Sequence, residues 1–387
     1  MKKVLIIHNG YKIKGGEDTN FKDEIKFLNK NFEVESMLFD NSTRANLFDL
    51  VAFITGRNFQ SDIRILSKIK KFNPDIVYIH NIWFKVGFGV FKLLQKRQIK
   101  TILKVHNYRY ECSRHWLLKN HIGQNEFCNA CALRKENAKF FNKYFQNSYL
   151  KSAASIIFSK RYYKILKNSL ISIAVISNFH KKILVDSGVN SEKVFLFRNP
   201  FNFTNEIEVK YNSNSNFIVY AGRLTHSKGV EELLDAWCRS SITNINLKII
   251  GDGELKKLLQ EKYSQSNIEF VGELELEDTL ELIRKSRAVV TATKMYEGQP
   301  RLLTEASFYS VPSLFPSFGG MMELFQNDYP LKFDQFNYSS LENKLNLLKD
   351  INLLDELSIS VKENINNLLG ENLLNNTFER MTNNEKL

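Results

Sequence analysis

Nine short apolar runs recur along most of this chain and limit what it can fold into. They lie at residues 4–8, 76–80, 101–105, 173–177, 217–221, 247–250, 268–271, 288–293 and 313–315. Each is continuous rather than alternating, as a strand covered on both faces must be. Mixed stretches of helical length lie between them, among them 21–29, 91–97 and 230–237. Apolar strands alternating with helices predict parallel sheets in an α/β fold. No fixed-period repeat points to a solenoid.

At 387 residues the chain is long enough for two or three domains. Residues 204–216 (TNEIEVKYNSNSN) are polar and read as a linker. They place a boundary near 200, giving domains at 1–200 and 201–387. One more helical pattern, at about 371–383, follows Gly370 and is expected to pack back on the first domain. Four cysteines exclude a disulfide scaffold. No apolar run approaches the ~18 residues of a membrane helix. The apolar stretch after Lys2 and Lys3 is shorter than a signal core of about 7–15 residues. The expected location is cytoplasmic, free or peripheral on the inner face of the membrane.

Charge is uneven. Residues 1–200 hold 35 Lys and Arg against 15 Asp and Glu, whereas residues 201–387 hold 19 against 27. A basic half calls for an anionic partner, nucleic acid or membrane, unless it is only a solvated surface. The basic stretch 151–167 (KSAASIIFSKRYYKILK) mixes Lys and Arg with Phe, Tyr, Ile and Leu. It suits a helix on an anionic membrane, nucleic-acid binding by basic and aromatic residues, or an amphipathic helix packed on its own domain.

Several strand exits carry glycine. In FIVYAGRLTHSKG (217–229) a strand runs into Gly222 and Arg223, then Lys228 and a helix start. Free N–H groups at a helix start bind anions, and Arg with Lys suits a diphosphate. An ordinary solvated turn is the alternative. IIGDGE (249–254) and FVGE (270–273, with Gly272 and Glu273) are similar exits. In YEGQPRLLTE (296–305), Pro300 is expected at the first helical position, with Glu297 before the helix and Glu305 on its second turn. Carboxylates beside a diphosphate suit ribose and sugar hydroxyls better than acid–base work.

This ordered set, G-R-x4-K-G, G-D-G, F-V-G, E-G-x-P-x4-E-A and Gly319-Gly320, resembles the carboxyl-terminal domain of family 4 retaining glycosyltransferases of the GT-B fold. The first half is also similar to that family in His8-Asn-Gly, Gly15-Gly16-Glu17-Asp18, Lys104-Val-His106-Asn-Tyr, Ile176-Ser-Asn-Phe179 and Arg198-Asn-Pro200. The resemblance implies two Rossmann-like domains facing each other across a cleft. It implies sugar transfer from a nucleotide-sugar donor to a glycan or undecaprenyl-linked acceptor, as in bacterial O-antigen or capsule assembly. By that resemblance Arg223 and Lys228 bind the leaving diphosphate, Glu305 the ribose and Glu297 the donor sugar. N–H groups near Arg301 and Leu302 meet phosphate or sugar. Gly15 and Gly16 approach the phosphates, His106 lines the sugar pocket, the base lies near Gly272 and Glu273, and Gly222 is among the donor-binding residues.

No Asp-x-Asp occurs, so no metal or cofactor is expected, and cations with helix N-termini replace the metal. Cys112, Cys128 and Cys131, with His115, have spacing that zinc could use, but no clear fourth cysteine follows. Two other readings stand beside the transferase: a basic nucleic-acid-binding protein, which lacks any zinc-finger, RRM or KH signature, and a GT-B nucleotide-sugar epimerase.

Overall fold

The computed structural model describes residues 1–10, 16–40, 55–83, 85–106, 108, 136–137, 142–143, 148–201, 211–264 and 267–383. The chain divides into two compact units, one of residues 1–204 with 369–387 and one of residues 205–368.

The first unit runs β1 (Lys3–Gly10), α1 (Gly16–Leu28), β2 (Glu33–Asp40), α2 (Phe59–Phe72), β3 (Ile76–Ile79), α3 (Gly89–Lys96) and β4 (Lys100–Val105). It continues with α4 (Tyr149–Asn168), β5 (Ser172–Val175), α5 (Asn178–Asp186) and β6 (Val194–Leu196). Its six-stranded sheet is wholly parallel, in the order β2-β1-β3-β4-β5-β6, and Glu136–Asn137 and Asn142–Lys143 form a separate antiparallel pair. Alternate residues feed two cores, one per sheet face. Leu5, Ile7, Val77, Ile79, Leu103 and Val105 pack toward α2, α3 and α4. Val4, Ile6, Ile76, Tyr78 and Ile102 face the other way, with Phe21 and Leu28 of α1. The basic helix α4 spends Phe158, Tyr162, Tyr163 and Leu166 on the first of these cores. It leaves Leu150, Ile157, Lys160, Lys164 and Lys167 exposed.

The second unit runs β7 (Phe217–Ala221), α6 (Val230–Arg239), β8 (Asn246–Ile250), α7 (Lys256–Lys262), β9 (Ile268–Gly272) and α8 (Leu276–Lys285). Then come β10 (Val289–Val290), α9 (Arg301–Phe308), β11 (Ser313–Pro316), β12 (Lys332–Phe333), α10 (Tyr338–Leu347) and α11 (Ile351–Leu368). Its sheet, also parallel, has the order β9-β8-β7-β10-β11-β12. The α/β reading of the sequence therefore holds for both units.

Strands β2, β6 and β12 fall outside the nine apolar runs, and each lies at a sheet edge. In β2 the polar residues Glu33, Glu35 and Ser36 break the run. The run 288–293 makes ladder pairs only at Val289 and Val290, and its later residues lead into a loop.

The last helix, α12 (Glu371–Asn383), belongs to the first unit. Its Leu374, Phe378 and Met381 recur at helical spacing and are buried in the second core. The Phe378 ring meets Phe32, Tyr78 and Phe197 at centroid distances of 5.1, 5.5 and 5.7 Å. Ser172 Oγ donates to the Met381 carbonyl at 3.1 Å. Replacing Phe378 with Ala should cost about 3–5 kcal/mol. The loss should fall on the first unit, so hydrogen exchange should quicken in β1, β3 and β4 and stay unchanged in β7 and β8. Unaltered exchange in β1 and β3 would contradict this packing.

Candidate functional site

In an open parallel sheet, ligands bind beyond the carboxyl ends of the strands, where the strand order reverses. Each unit has one such point: between β1 and β3 in the first, and between β7 and β10 in the second. Charged and polar side chains collect at both.

In the second unit the loop after β7 holds Gly222, Arg223 and Lys228, and the loop after β10 holds Glu297. These loops touch. Gly229 has φ +64°, and a Cβ there would lie 1.9 Å from the Ala292 carbonyl oxygen, so only glycine fits. Lys294 N–H donates to the Ser227 carbonyl at 2.9 Å. The result is an ion pair between the Lys228 ammonium and Glu297 Oε1. Lys294 pairs in turn with Glu232 at the start of α6. Arg223 is exposed, and among the described residues its guanidinium has no ion-pair partner. Its carbonyl accepts a bond from the Tyr220 hydroxyl at 3.1 Å. Burial pushes that phenol's pKa up, so the hydroxyl stays a donor.

The neighbouring strand ends are tied together by their glycines. Gly222 N–H donates to Ile250 at 3.0 Å, and Gly251 N–H donates to Gly272 at 2.7 Å. A Cβ on Gly251, at φ +133°, would stand 2.1 Å from the Gly222 carbonyl. Glu273, next in line, is exposed. Helix α9 begins at Arg301, with Pro300 just outside it as the capping residue (ψ 129°), one position earlier than the sequence reading has it. First-turn N–H groups of a helix have no intrahelical acceptor. Leu302 is buried within that turn. Glu305, one turn on and 5% exposed, accepts a bond from Arg301 Nε at 3.0 Å. Gly319 and Gly320 open a short 3-10 turn close to the Glu297 backbone.

In the first unit, His106 directly follows β4 and His80 directly follows β3. His106 Nε2 lies 3.0 Å from His80 Nδ1. His80 Nε2 lies 3.2 Å from Glu24 Oε2. Glu24 projects from α1 and is fully buried. Its Oε1 accepts from the Tyr78 hydroxyl at 2.7 Å and from the Lys104 ammonium at 2.9 Å. Lys104 also donates to the Phe197 carbonyl at 2.9 Å and lies over the Phe197 ring. His8, on β1, contacts Asp18 Oδ1 through Nε2 at 3.2 Å. Burial, reinforced by neighbouring His8 and Lys104, drives His80 well below the usual histidine range. Burial, with His80 and Lys104 nearby, does the same for His106. Burial also lowers His8, against the opposing pull of Asp18. All three imidazoles are neutral at pH 7.

Sequence reasoning named His106 but gave no role to Glu24 or His80. The signals were there. Phe21, Glu24 and Leu28 share one helical face, so a carboxylate stands inside an apolar stripe. Lys104 stands in the middle of a buried strand, and two such breaches call for a pair. Gly16 opens α1. Gly15, Cys112, His115, Cys128 and Cys131 lie outside the described residues.

Residues 203–366 match the model of the family "Glycosyl transferases group 1". The amylovoran biosynthesis glycosyltransferase AmsD of Erwinia amylovora is 29% identical over 172 residues, 43% of this chain and 49% of AmsD. The chain spans about half the length, or less, of the curated relatives it matches. Among solved structures, Anabaena HepE in complex with UDP-glucose aligns over 98% of both chains at 13% identity, with a TM-score of 0.66. Sucrose-phosphate synthase of Thermosynechococcus elongatus aligns over 98% of both chains at 14% identity, with a TM-score of 0.70. These likenesses show the GT-B fold.

The neutral histidines set a pH dependence. Their folded pKa values lie below the ordinary 6.5, so below pH 6.5 the unfolded chain binds more protons than the folded one. Stability is therefore complete above pH 6.5 and falls as pH drops, by up to about 1.4 kcal/mol per unit for each histidine. The melting temperature should decline from pH 7.5 to 5.5. A flat or rising profile would contradict the neutral assignment.

Proposed function

The second unit belongs to the group 1 glycosyl transferases, and from that premise we propose that the chain transfers a sugar from a nucleotide-sugar donor to a glycan or lipid-linked acceptor. The observation that carries the reading is the meeting of Arg223, the Lys228–Glu297 pair and the start of α9 at one switch point.

Breaking the bond between a sugar and a nucleoside diphosphate leaves negative charge on the departing phosphate. Preorganised cations lower that barrier. Arg223 offers an exposed fork for the diphosphate. Lys228, held in place by Glu297, supplies a second charge and shifts toward the phosphate as the donor arrives. Glu297 is then released toward the donor sugar's hydroxyls. First-turn N–H groups of α9 add the positive end of a helix. Glu305 accepts from the ribose hydroxyls, with Arg301 fixing its orientation. Gly222, Gly251 and Gly272 keep the strand ends open for the base. In the first unit, His106 accepts from a sugar hydroxyl. No metal is required in this reading, because the cations of the protein balance the leaving group, and the sugar keeps its anomeric configuration.

The UDP-glucose held by HepE supports a uridine diphosphate sugar as the donor class. Similarity to AmsD supports an acceptor in bacterial surface polysaccharide assembly. Among the described residues no helix is long and apolar enough to cross a membrane. The exposed Leu150, Ile157, Lys160, Lys164 and Lys167 of α4 suit peripheral contact with an anionic bilayer, where a lipid-linked acceptor resides.

A melting panel of UDP-, GDP-, ADP-, TDP- and CMP-sugars, with and without EDTA, tests the donor. A donor at about 100 times its Kd stabilises by about 2.7 kcal/mol. One nucleotide family should raise the melting temperature in EDTA, and Glu305→Ala should abolish that shift. Turnover should fall roughly 10²–10³-fold in Arg223→Ala and in Lys228→Ala. Full turnover in both variants, or a shift that EDTA removes, would overturn the metal-free mechanism.

A further inference from the structure

We propose that Glu24 and His80 are positioning residues that lock His106 as its Nε2–H tautomer, so that the bare Nδ1 accepts a hydrogen bond from a substrate hydroxyl. The substrate half of this inference rests on the glycosyl-transfer reading; the tautomer half rests on the fold alone.

The argument starts at the carboxylate. Glu24 Oε1 is taken by Tyr78 and Lys104. Glu24 Oε2 lies 3.2 Å from His80 Nε2, at ion-pair distance, and among the described residues neither atom has a hydrogen-bond partner. That contact is bent away from ideal hydrogen-bond alignment, yet its electrostatic sense is clear. A lone pair on Nε2 facing a carboxylate oxygen would be repelled, so the His80 proton resides on Nε2. His80 Nδ1 is then an acceptor. His106 Nε2, 3.0 Å away, must donate to it. A neutral imidazole has one proton. His106 Nδ1 is therefore bare, and among the described residues this buried atom has no hydrogen-bond partner. A buried acceptor left unmet is destabilising, and an arriving hydroxyl removes that penalty.

The same three side chains place ligand atoms within 4.8 Å of one another, which invites a metal ion. Two features favour a hydrogen-bond chain instead. The Lys104 ammonium already neutralises the carboxylate, and the two imidazole nitrogens stand at hydrogen-bond distance. The charged and titratable groups facing the chain are Glu24 and Asp18 from α1, His8 from β1, Tyr78 from β3 and Lys104 from β4. Glu24 and Lys104 balance each other, and the remaining carboxylate, Asp18, faces His8.

Nitrogen-15 spectra of histidine-labelled full-length protein read the tautomer directly. Wild type should show His106 as Nε2–H with unprotonated Nδ1 from pH 5.5 to 8. An Nδ1–H tautomer, or an imidazolium at pH 6, overturns the proposal. So does loss of the Nε2 proton on adding one equivalent of zinc chloride. In Glu24→Gln the amide can donate to His80 Nε2 and reverse the chain, so His106 should populate the Nδ1–H form. With UDP-glucose as donor, that variant should raise KM about 10-fold and change kcat little, the scale of one lost hydrogen bond. An unchanged tautomer in the variant, or a fall in kcat alone, contradicts positioning through His80. Should Glu24→Gln fail to fold, the wild-type spectrum decides. An Nε2–H His106 in a protein that transfers no sugar would keep the lock and refute the proposed function. Sugar transfer with an Nδ1–H His106 would do the reverse.

Discussion

A wholly parallel sheet sends the carboxyl end of every strand to the same edge, and both units obey that constraint. Helical crossovers are the price of such a sheet, and they cover both of its faces. Where crossovers leave in opposite directions a gap opens between two loops. In the second unit that gap brings Lys228 to Glu297 across 69 residues of sequence. In the first it brings Glu24 of α1 beneath His80 and beside Lys104. The chemistry of each unit is thus placed by topology, and the loops supply only the residue types.

The first unit carries charge inside an apolar layer to do this. Glu24 and Lys104 are both fully buried, and removing one partner from such a pair costs about 3–5 kcal/mol. Burial depresses the Lys104 pKa, while Glu24 opposes that shift. Tyr78 is pushed well above its ordinary value by burial and by Glu24, so it remains a donor. Among the described residues, four buried atoms of the cluster lack a hydrogen-bond partner: His8 Nδ1, Glu24 Oε2, His80 Nε2 and His106 Nδ1. The second unit shows the opposite balance. Its pairs are partly exposed, and Arg223 stays available to an incoming anion.

How much of this was legible in the sequence follows from what each residue answers to. Strands buried on both faces announce themselves as apolar runs, so β1, β3, β4, β7 and β8 were plain. Strand β2 at an edge was not, because Glu33, Glu35 and Ser36 interrupt the apolar residues it sends to the two cores. The strand-to-glycine exits at Gly222, Gly251 and Gly272 were visible, since glycine there answers to a local backbone demand. Pairings such as Lys228 with Glu297, or Glu24 with His80, depend on which strands become neighbours. Strand β7 lies beside β10 although β8 and β9 come between them in the chain. No local pattern encodes that adjacency. Glu24 was hidden for a further reason: on a helix with many charged residues, one carboxylate on the inner stripe reads as another surface group.

The central claim is that the switch point of the second unit grips the diphosphate of a sugar nucleotide. Hydrogen exchange of the full chain, with and without saturating UDP, tests it most directly. The account predicts slowed exchange in residues 222–229 and 297–305, with α7 and α8 unaffected. Protection confined to other segments, or none at all, would contradict it.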